Sequence, residues 1–193
     1  MPSAARAHPL PAGALPPPAN LPMAPPGEKP LLFLDFEASS LTRGSWPVEI
    51  GFAWIESGRV EASSAIIAPR LSWSMDDWSE GAARYHGITL ETVRSGRPAA
   101  EVAAETERFG DFTVVSDNPR WEQRWLDRLR AGRQPIEVKS LRSMAGSRLT
   151  SHQADALALY LLRAASPHRA GADAARMAAA WLAATQPTSR AAA

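Results

Sequence analysis

Cysteine is missing from the 193 residues, which excludes a disulfide framework, a cysteine-ligated zinc ribbon and a thiol nucleophile. Charge of one sign is missing too. The 21 Lys+Arg against 20 Asp+Glu leave a formal net charge of +1 at pH 7, too little to coat nucleic acid or membrane by bulk charge. That balance still permits local basic patches. No apolar run approaches the roughly 18 residues that would span a bilayer, and the N-terminus has no apolar h-region of a secretory signal. These absences predict a soluble, cytoplasmic protein with no membrane attachment. The length allows one domain with a tail, and a core large enough to fold without staples.

What is present divides at residue 29. Residues 1–29 hold nine of the 17 prolines, including Pro16-Pro17-Pro18 and Pro25-Pro26, padded with Ala. Proline fixes φ and withholds its N–H, so this stretch predicts a disordered or extended tail. A docking segment and a dispensable extension ahead of Met23 are both compatible with it. Residues 30–186 have globular texture, and 187–193 read as a frayed, disordered end. Leu31–Phe36 is a flat apolar run of strand length, the pattern of a central strand buried on both faces. Val48–Glu56 and Arg59–Ala68 are strands joined by Ser57-Gly58, a hairpin signal. Further along, Ala99–Phe109 reads as helix, Thr113–Ser116 as strand, Pro119–Arg130 as helix and Ile136–Lys139 as strand. Two helices close the chain, Thr150–Ala165 and Arg169–Ala184, the first opening on a capping box of Thr150 and Gln153. This order predicts an α/β fold with a mixed five-stranded sheet flanked by helices.

Acid is placed where apolar side chains are expected. A strand period of two puts Asp35 and Glu37 on the face of Phe33. Two carboxylates side by side at the end of a buried strand repel each other and are costly to desolvate, and a divalent cation removes both problems. The spacing of Asp173, Met177, Ala180, Trp181 and Ala184 makes one inward stripe, so Asp173 opens the apolar face of the last helix. Glu122 leads Trp125, Leu126 and Leu129 in the same way. Each acid alone also fits an N-terminal charge complementing a helix dipole. Three elements all delivering acid toward the sheet favour oxygen ligation of Mg²⁺ or Mn²⁺.

Of the four histidines, His8 lies in the tail. His168 precedes Asp173 by five positions on the loop into the last helix, where it could take a proton from water near neutral pH. His152 sits in a capped first turn and reads as a surface residue, and His86 precedes a Gly turn as a loop anchor.

At these residues the chain resembles a known family. Asp35-Phe36-Glu37-Ala38-Ser39 is similar to the D-x-E-x-T/S first motif of the DEDDh 3′–5′ exonucleases, relatives of the proofreading subunit of bacterial DNA polymerase III, ribonuclease T and oligoribonuclease. Val48-Glu49-Ile50-Gly51 resembles that family's second strand, and Tyr85-His86-Gly87-Ile88-Thr89 its "HGIT" loop. His168 to Ala174 resembles the H-x4-D third motif, and Val114 to Glu122 lines up with the second. The resemblance covers about residues 31–184. One position departs: the second motif's Asp falls on Glu122, one methylene longer, with Trp121 before it and Asp117 as a rival acid two positions beyond Val115.

The resemblance implies an RNase H-like fold and two-metal hydrolysis of single-stranded DNA or RNA from 3′ ends, releasing nucleoside 5′-monophosphates. It implies Asp35, Glu37 and Asp173 on one Mg²⁺ or Mn²⁺ ion, and Asp35 bridging to a second with Glu122 bound to it through water. It further implies His168 as the base and Ser39 against the terminal nucleotide. A polymerase partner and a homodimer are left open. Arg120, Arg124 and Arg128 repeat every four residues and suit either a phosphate backbone or a solvated face. Trp121 and Trp125 suit core packing better than base stacking. Two other readings fit part of the pattern. A haloacid-dehalogenase-type phosphatase would use Lys139 but needs Asp where Glu37 stands, and it leaves His168 unexplained. A nucleic-acid-binding module of the same fold, its catalysis blunted at Glu122, is the third.

Overall fold

The computed structural model describes residues 27–186. The tail expected over 1–29 lies outside them up to residue 26, as does the C-terminal end 187–193. Residues 28 and 29 touch the domain: Glu28 pairs with Arg148 at 3.1 Å and Lys29 donates to the Gly110 carbonyl.

Strands β1 (Leu31–Ala38), β2 (Pro47–Glu56) and β3 (Arg59–Ala68) form an antiparallel meander. Both turn residues between β2 and β3 have positive φ, Ser57 at 50° and Gly58 at 73°, the backbone of the two-residue turns whose twist suits a hairpin. Short helices α1 (Glu80–His86) and α2 (Leu90–Arg94) follow, then the two-residue strand β4 (Arg97–Pro98) and α3 (Ala99–Glu105). Next come β5 (Thr113–Ser116), α4 (Pro119–Leu129), β6 (Val138–Ser140), α5 (Leu141–Arg148), α6 (Ser151–Arg163) and α7 (Ala170–Thr185). The sheet order is β4-β3-β2-β1-β5-β6, with β5 parallel to β1 and to β6. The sheet is mixed, as expected, and β4 adds a sixth strand at its edge.

Alternation along β1 sorts the core into two layers. Leu32, Leu34 and Phe36 pack with Val102, Trp125, Leu126 and Leu129 from α3 and α4. Phe33 faces the other way, with Val115, Met177 and Trp181 beneath α7. Asp35 and Glu37 continue the Phe33 row, so they run out under the start of α7.

The helix expected over Ala99–Phe109 is α only to Glu105, then tightens into a 3₁₀ stretch, Thr106–Asp111. The capping box of α6 is present, Thr150 and Gln153 each bonding the other's backbone. Among the described residues no helix is long and apolar enough to cross a membrane.

Candidate active site

β1 is central, with β2 on one side and β5 on the other, and its C-terminal end carries the acids. α7 must come close to deliver a third. Gly51 on β2 sits opposite Asp35, and a Cβ built there would lie 2.0 Å from the Ala170 carbonyl carbon and 2.1 Å from the Gly171 nitrogen. Only glycine lets the first turn of α7 rest directly on the strand. An ion pair fixes the rest: Glu49, fully buried, accepts from Arg169 Nε at 3.0 Å, Nη2 at 2.9 Å and the Ala170 N–H at 3.0 Å. This fork-to-carboxylate pairing is the strong, oriented kind.

Held this way, Asp35, Glu37 and Asp173 each offer a carboxylate oxygen within 4.8 Å of the others, although Asp35 and Asp173 are 138 positions apart. Asp173 is buried; Ser166 Oγ donates to its Oδ1 at 2.6 Å and the Arg169 N–H to its Oδ2 at 3.1 Å. Burial, then Glu37, Asp173 and Asp117, hold Asp35 well above the ordinary carboxylate range, with Arg176 opposing. Glu37 is pushed up to about 8 by burial and by Glu49 and Asp173, against the pull of Arg169.

Glu122, on the first turn of α4, does not join that three-residue set. It is 3% exposed, and one of its oxygens, Oε2, has no hydrogen-bond partner. Burial and the charges of Asp35, Asp117 and Glu37 raise its pKa well above normal, opposed by the Phe36 N–H that it accepts. Glu122 thus feels the charge of Asp35 from the layer opposite α7. Asp117, one residue past β5, is engaged by Arg176 at 3.3 Å.

His168 stands on the α6–α7 loop at a left-handed φ of 54°, unusual for a residue with a side chain. Its ring lies 4.0 Å from that of Tyr85, centroid to centroid, and its Nδ1 is 3.3 Å from Ser166 Oγ. Ser166 thus touches both His168 and Asp173. Ser39 is fully buried, its hydroxyl accepting the Trp46 N–H at 3.0 Å. His86 is buried, and its Nδ1 accepts the Ile88 N–H across the left-handed Gly87; burial lowers its pKa. His152 is exposed on the first turn of α6.

The arginine row of α4 is more than a solvated face. Arg124 donates to the Thr42 carbonyl at 2.7 Å and lies over Trp121, while Arg128 lies over Trp73. Trp125 is buried with its indole N–H on Ser45, and Trp121 stacks on it. Lys139 is turned to Glu137 at 3.8 Å on β6.

Sequence reasoning passed over Glu49, Ser166 and Arg176. Glu49 had a signal, an acid inside a strand otherwise apolar through Ile55; the other two had none.

No protein-family model matches the sequence, and none of the curated proteins matches it. Solved structures do. Escherichia coli exonuclease I in complex with a dA16 oligonucleotide matches with TM-score 0.59 and 18% identity, over 82% of this chain and 41% of that one. A 3′-exonuclease that recognises the histone mRNA stem-loop matches with TM-score 0.60 and 12% identity, over 81% and 63% of the two chains. Exonuclease X in complex with 5′ overhanging duplex DNA matches with TM-score 0.52 and 21% identity, over 80% and 90%. The chain shares its fold with these solved exonucleases. It spans about two fifths of the length of exonuclease I.

Proposed function

We propose that the protein is a metal-dependent 3′–5′ exonuclease that hydrolyses phosphodiester bonds at single-stranded DNA or RNA ends and releases nucleoside 5′-monophosphates. The observation that carries this reading is the convergence of Asp35, Glu37 and Asp173 within 4.8 Å, on the fold of known exonucleases. The donors fit a hard cation: they are carboxylates without sulfur or imidazole, and Glu122 keeps a buried oxygen without a partner beside them.

Asp35, Glu37 and Asp173 would hold Mg²⁺ or Mn²⁺, with Glu122 behind Asp35 as the further acid. Bound there, the metal supplies positive charge to the phosphoryl oxygens. His168 takes the proton from the attacking water on the ring nitrogen that does not face Ser166, and Ser166 orients the ring. Arg169 and Glu49 hold α7 so that Asp173 keeps its place. Ser39 acts through the loop: its hydroxyl is spent on the Trp46 N–H, which fixes the turn after β1 beside the 3′-terminal nucleotide. The balanced charge suits a cytoplasmic enzyme.

A second reading, a nucleic-acid-binding module with weakened catalysis, is favoured by one observation, Glu122 in place of the shorter acid. One experiment separates them. Purified protein is incubated with 5′-labelled and 3′-labelled single-stranded DNA and RNA in Mg²⁺, Mn²⁺ or EDTA. A ladder shortening from the 3′ end, abolished by EDTA and by Asp35→Asn, is expected. Binding without any nucleotide release would put the second reading first.

A further inference from the structure

Two guanidinium groups stand among the acids at this end of the sheet, and they do different things. The Arg169 guanidinium is paired with Glu49, outside the Asp35–Glu37–Asp173 set, although its charge is felt at Glu37. Arg176 is inside it. One helical turn after Asp173, it places Nε 3.3 Å from Asp173 Oδ1 and Nη2 3.3 Å from Asp117 Oδ2, while Nη1 donates to the Leu161 carbonyl of α6 at 3.1 Å. Its side chain is 16% exposed. Ion pairs to Asp117 and Asp173 and a hydrogen bond to the α6 carbonyl give the cation one position, and swinging out would break all three together. The parallel pairing of β1 with β5 ends at Phe33 and Val115; Asp35 lies two residues further along β1 and Asp117 just past the end of β5, close enough for its charge to be felt at Asp35. Arg176 therefore caps the β5 side of the acidic row, and Glu37 and Asp35 lie on the other side.

We propose that Arg176 is a resident counter-ion of the acidic centre: it neutralises the Asp117 side, withholds Asp117 from metal, and lowers the affinity of the substrate-free protein for divalent cation. The proposal rests on the metal-binding reading above. Its physical basis is that a fixed positive charge a few ångströms from a bound cation opposes it directly, in surroundings that screen less than water. The opposite role is also definable: Arg176 could hold Asp173 in place and so strengthen metal binding. The two predict opposite signs.

The test is calorimetric titration of Mn²⁺ into the full-length, EDTA-stripped chain, with melting temperatures measured in EDTA and in Mn²⁺. Arg176→Gln is expected to bind Mn²⁺ about tenfold more tightly than wild type. It should melt lower in EDTA, because two acids lose their partner, yet gain more on adding Mn²⁺. Arg176→Lys keeps the charge and should stay within about twofold of wild type. Arg176→Met is the second neutral variant should the Gln form fail to fold. Weaker or unchanged binding in the neutral variants overturns the counter-ion role, as does a Lys variant that behaves like them. Asp35→Asn separates the two levels of failure. If wild type takes up no Mn²⁺ that Asp35→Asn abolishes, the metal reading itself falls, and the role of Arg176 with it. If wild type binds through Asp35 and the neutral variants match it, only the role of Arg176 is lost.

Discussion

The contact between Gly51 and the first turn of α7 allows a prediction that joins stability to the site. In Gly51→Ala the new Cβ would meet the Ala170 carbonyl carbon at 2.0 Å and the Ala170 oxygen at 2.3 Å. Carbon atoms pack at about 3.5 Å or more, so strand and helix must part by roughly 1.5 Å. Both sides of the clash are backbone, and no side chain can rotate away. Overpacking of this kind costs about 1–3 kcal/mol, and the upper end applies where nothing can yield. At about 2–4 °C per kcal/mol for a domain of this size, the melting temperature should fall by roughly 6–12 °C. Asp173 rides on the displaced turn, and functional geometry tolerates only about 0.5 Å. The rise in melting temperature on adding Mn²⁺ should therefore shrink as well. Gly146→Ala is the control, since a Cβ there meets nothing within 4 Å, and it should melt no lower than wild type. Circular dichroism melts in EDTA and in Mn²⁺ read both effects. A Gly51→Ala protein that melts within about 1 °C of wild type and keeps its metal response would show that the helix is not seated as described.

Three further outcomes are expected. Glu37 holds its proton up to about 8 in the metal-free fold, against an ordinary 4.5. The native state thus binds more protons than the unfolded chain between those values, and metal-free stability should fall as pH rises through that window. Urea melts at pH 5.5 and 8.5 in EDTA check this; Glu37→Gln should lose less than wild type over the interval, and an equal loss in both assigns the slope to other groups. His168→Ala should cut turnover by about 10²–10⁴ while leaving Mn²⁺ affinity in place, and His152→Ala should change neither; a turnover rate untouched by His168→Ala removes it as the base. Glu122→Asp should hold or raise the rate and Glu122→Gln lower it, measured as nucleotide release; if Glu122→Gln matches wild type while Asp117→Asn is dead, Asp117 is the acid.

How much of this could be read from the chain follows from what sequence periodicity carries. β1 was legible because a central strand is apolar on both faces, and the same period put Asp35 and Glu37 on the Phe33 side. The hairpin was legible because Ser57-Gly58 must take positive φ. The inward stripe of α7 marks Asp173 as a buried acid at the head of the helix. Elements shorter than two helical turns, α1 and α2, and the two-residue β4 carry no period of their own and passed unread. α5 was missed for another reason: buried Leu141 and Ala145 stand among exposed Arg142, Ser143 and Gly146, too sparse a pattern to mark a face. Pairings across the fold left no local trace at all. Nothing near Arg169 names Glu49, 120 positions away, and nothing near Arg176 names Asp117.

Those invisible pairings explain how the fold tolerates its own site. Asp35, Glu37, Glu122 and Asp173 crowd where β1 ends, and carboxylates forced together and partly dried oppose folding. Arg169, the residue before α7, and Arg176, about two helical turns further on, bind acids on β2 and just past β5 and so draw the helix onto both sides of β1. The same helix carries Asp173 between them. Attraction at the flanks thus brings about the crowding of carboxylates at the centre. Asp35, Glu37 and Glu122 are left without an ion pair, and burial with mutual repulsion raises the pKa of each. Removing either arginine should consequently act on the fold and on metal affinity through different terms. Loss of Arg169 unseats α7 from β2 and weakens both together, whereas loss of Arg176 weakens the metal-free fold while leaving more charge for the metal. That divergence separates a clamp from a counter-ion.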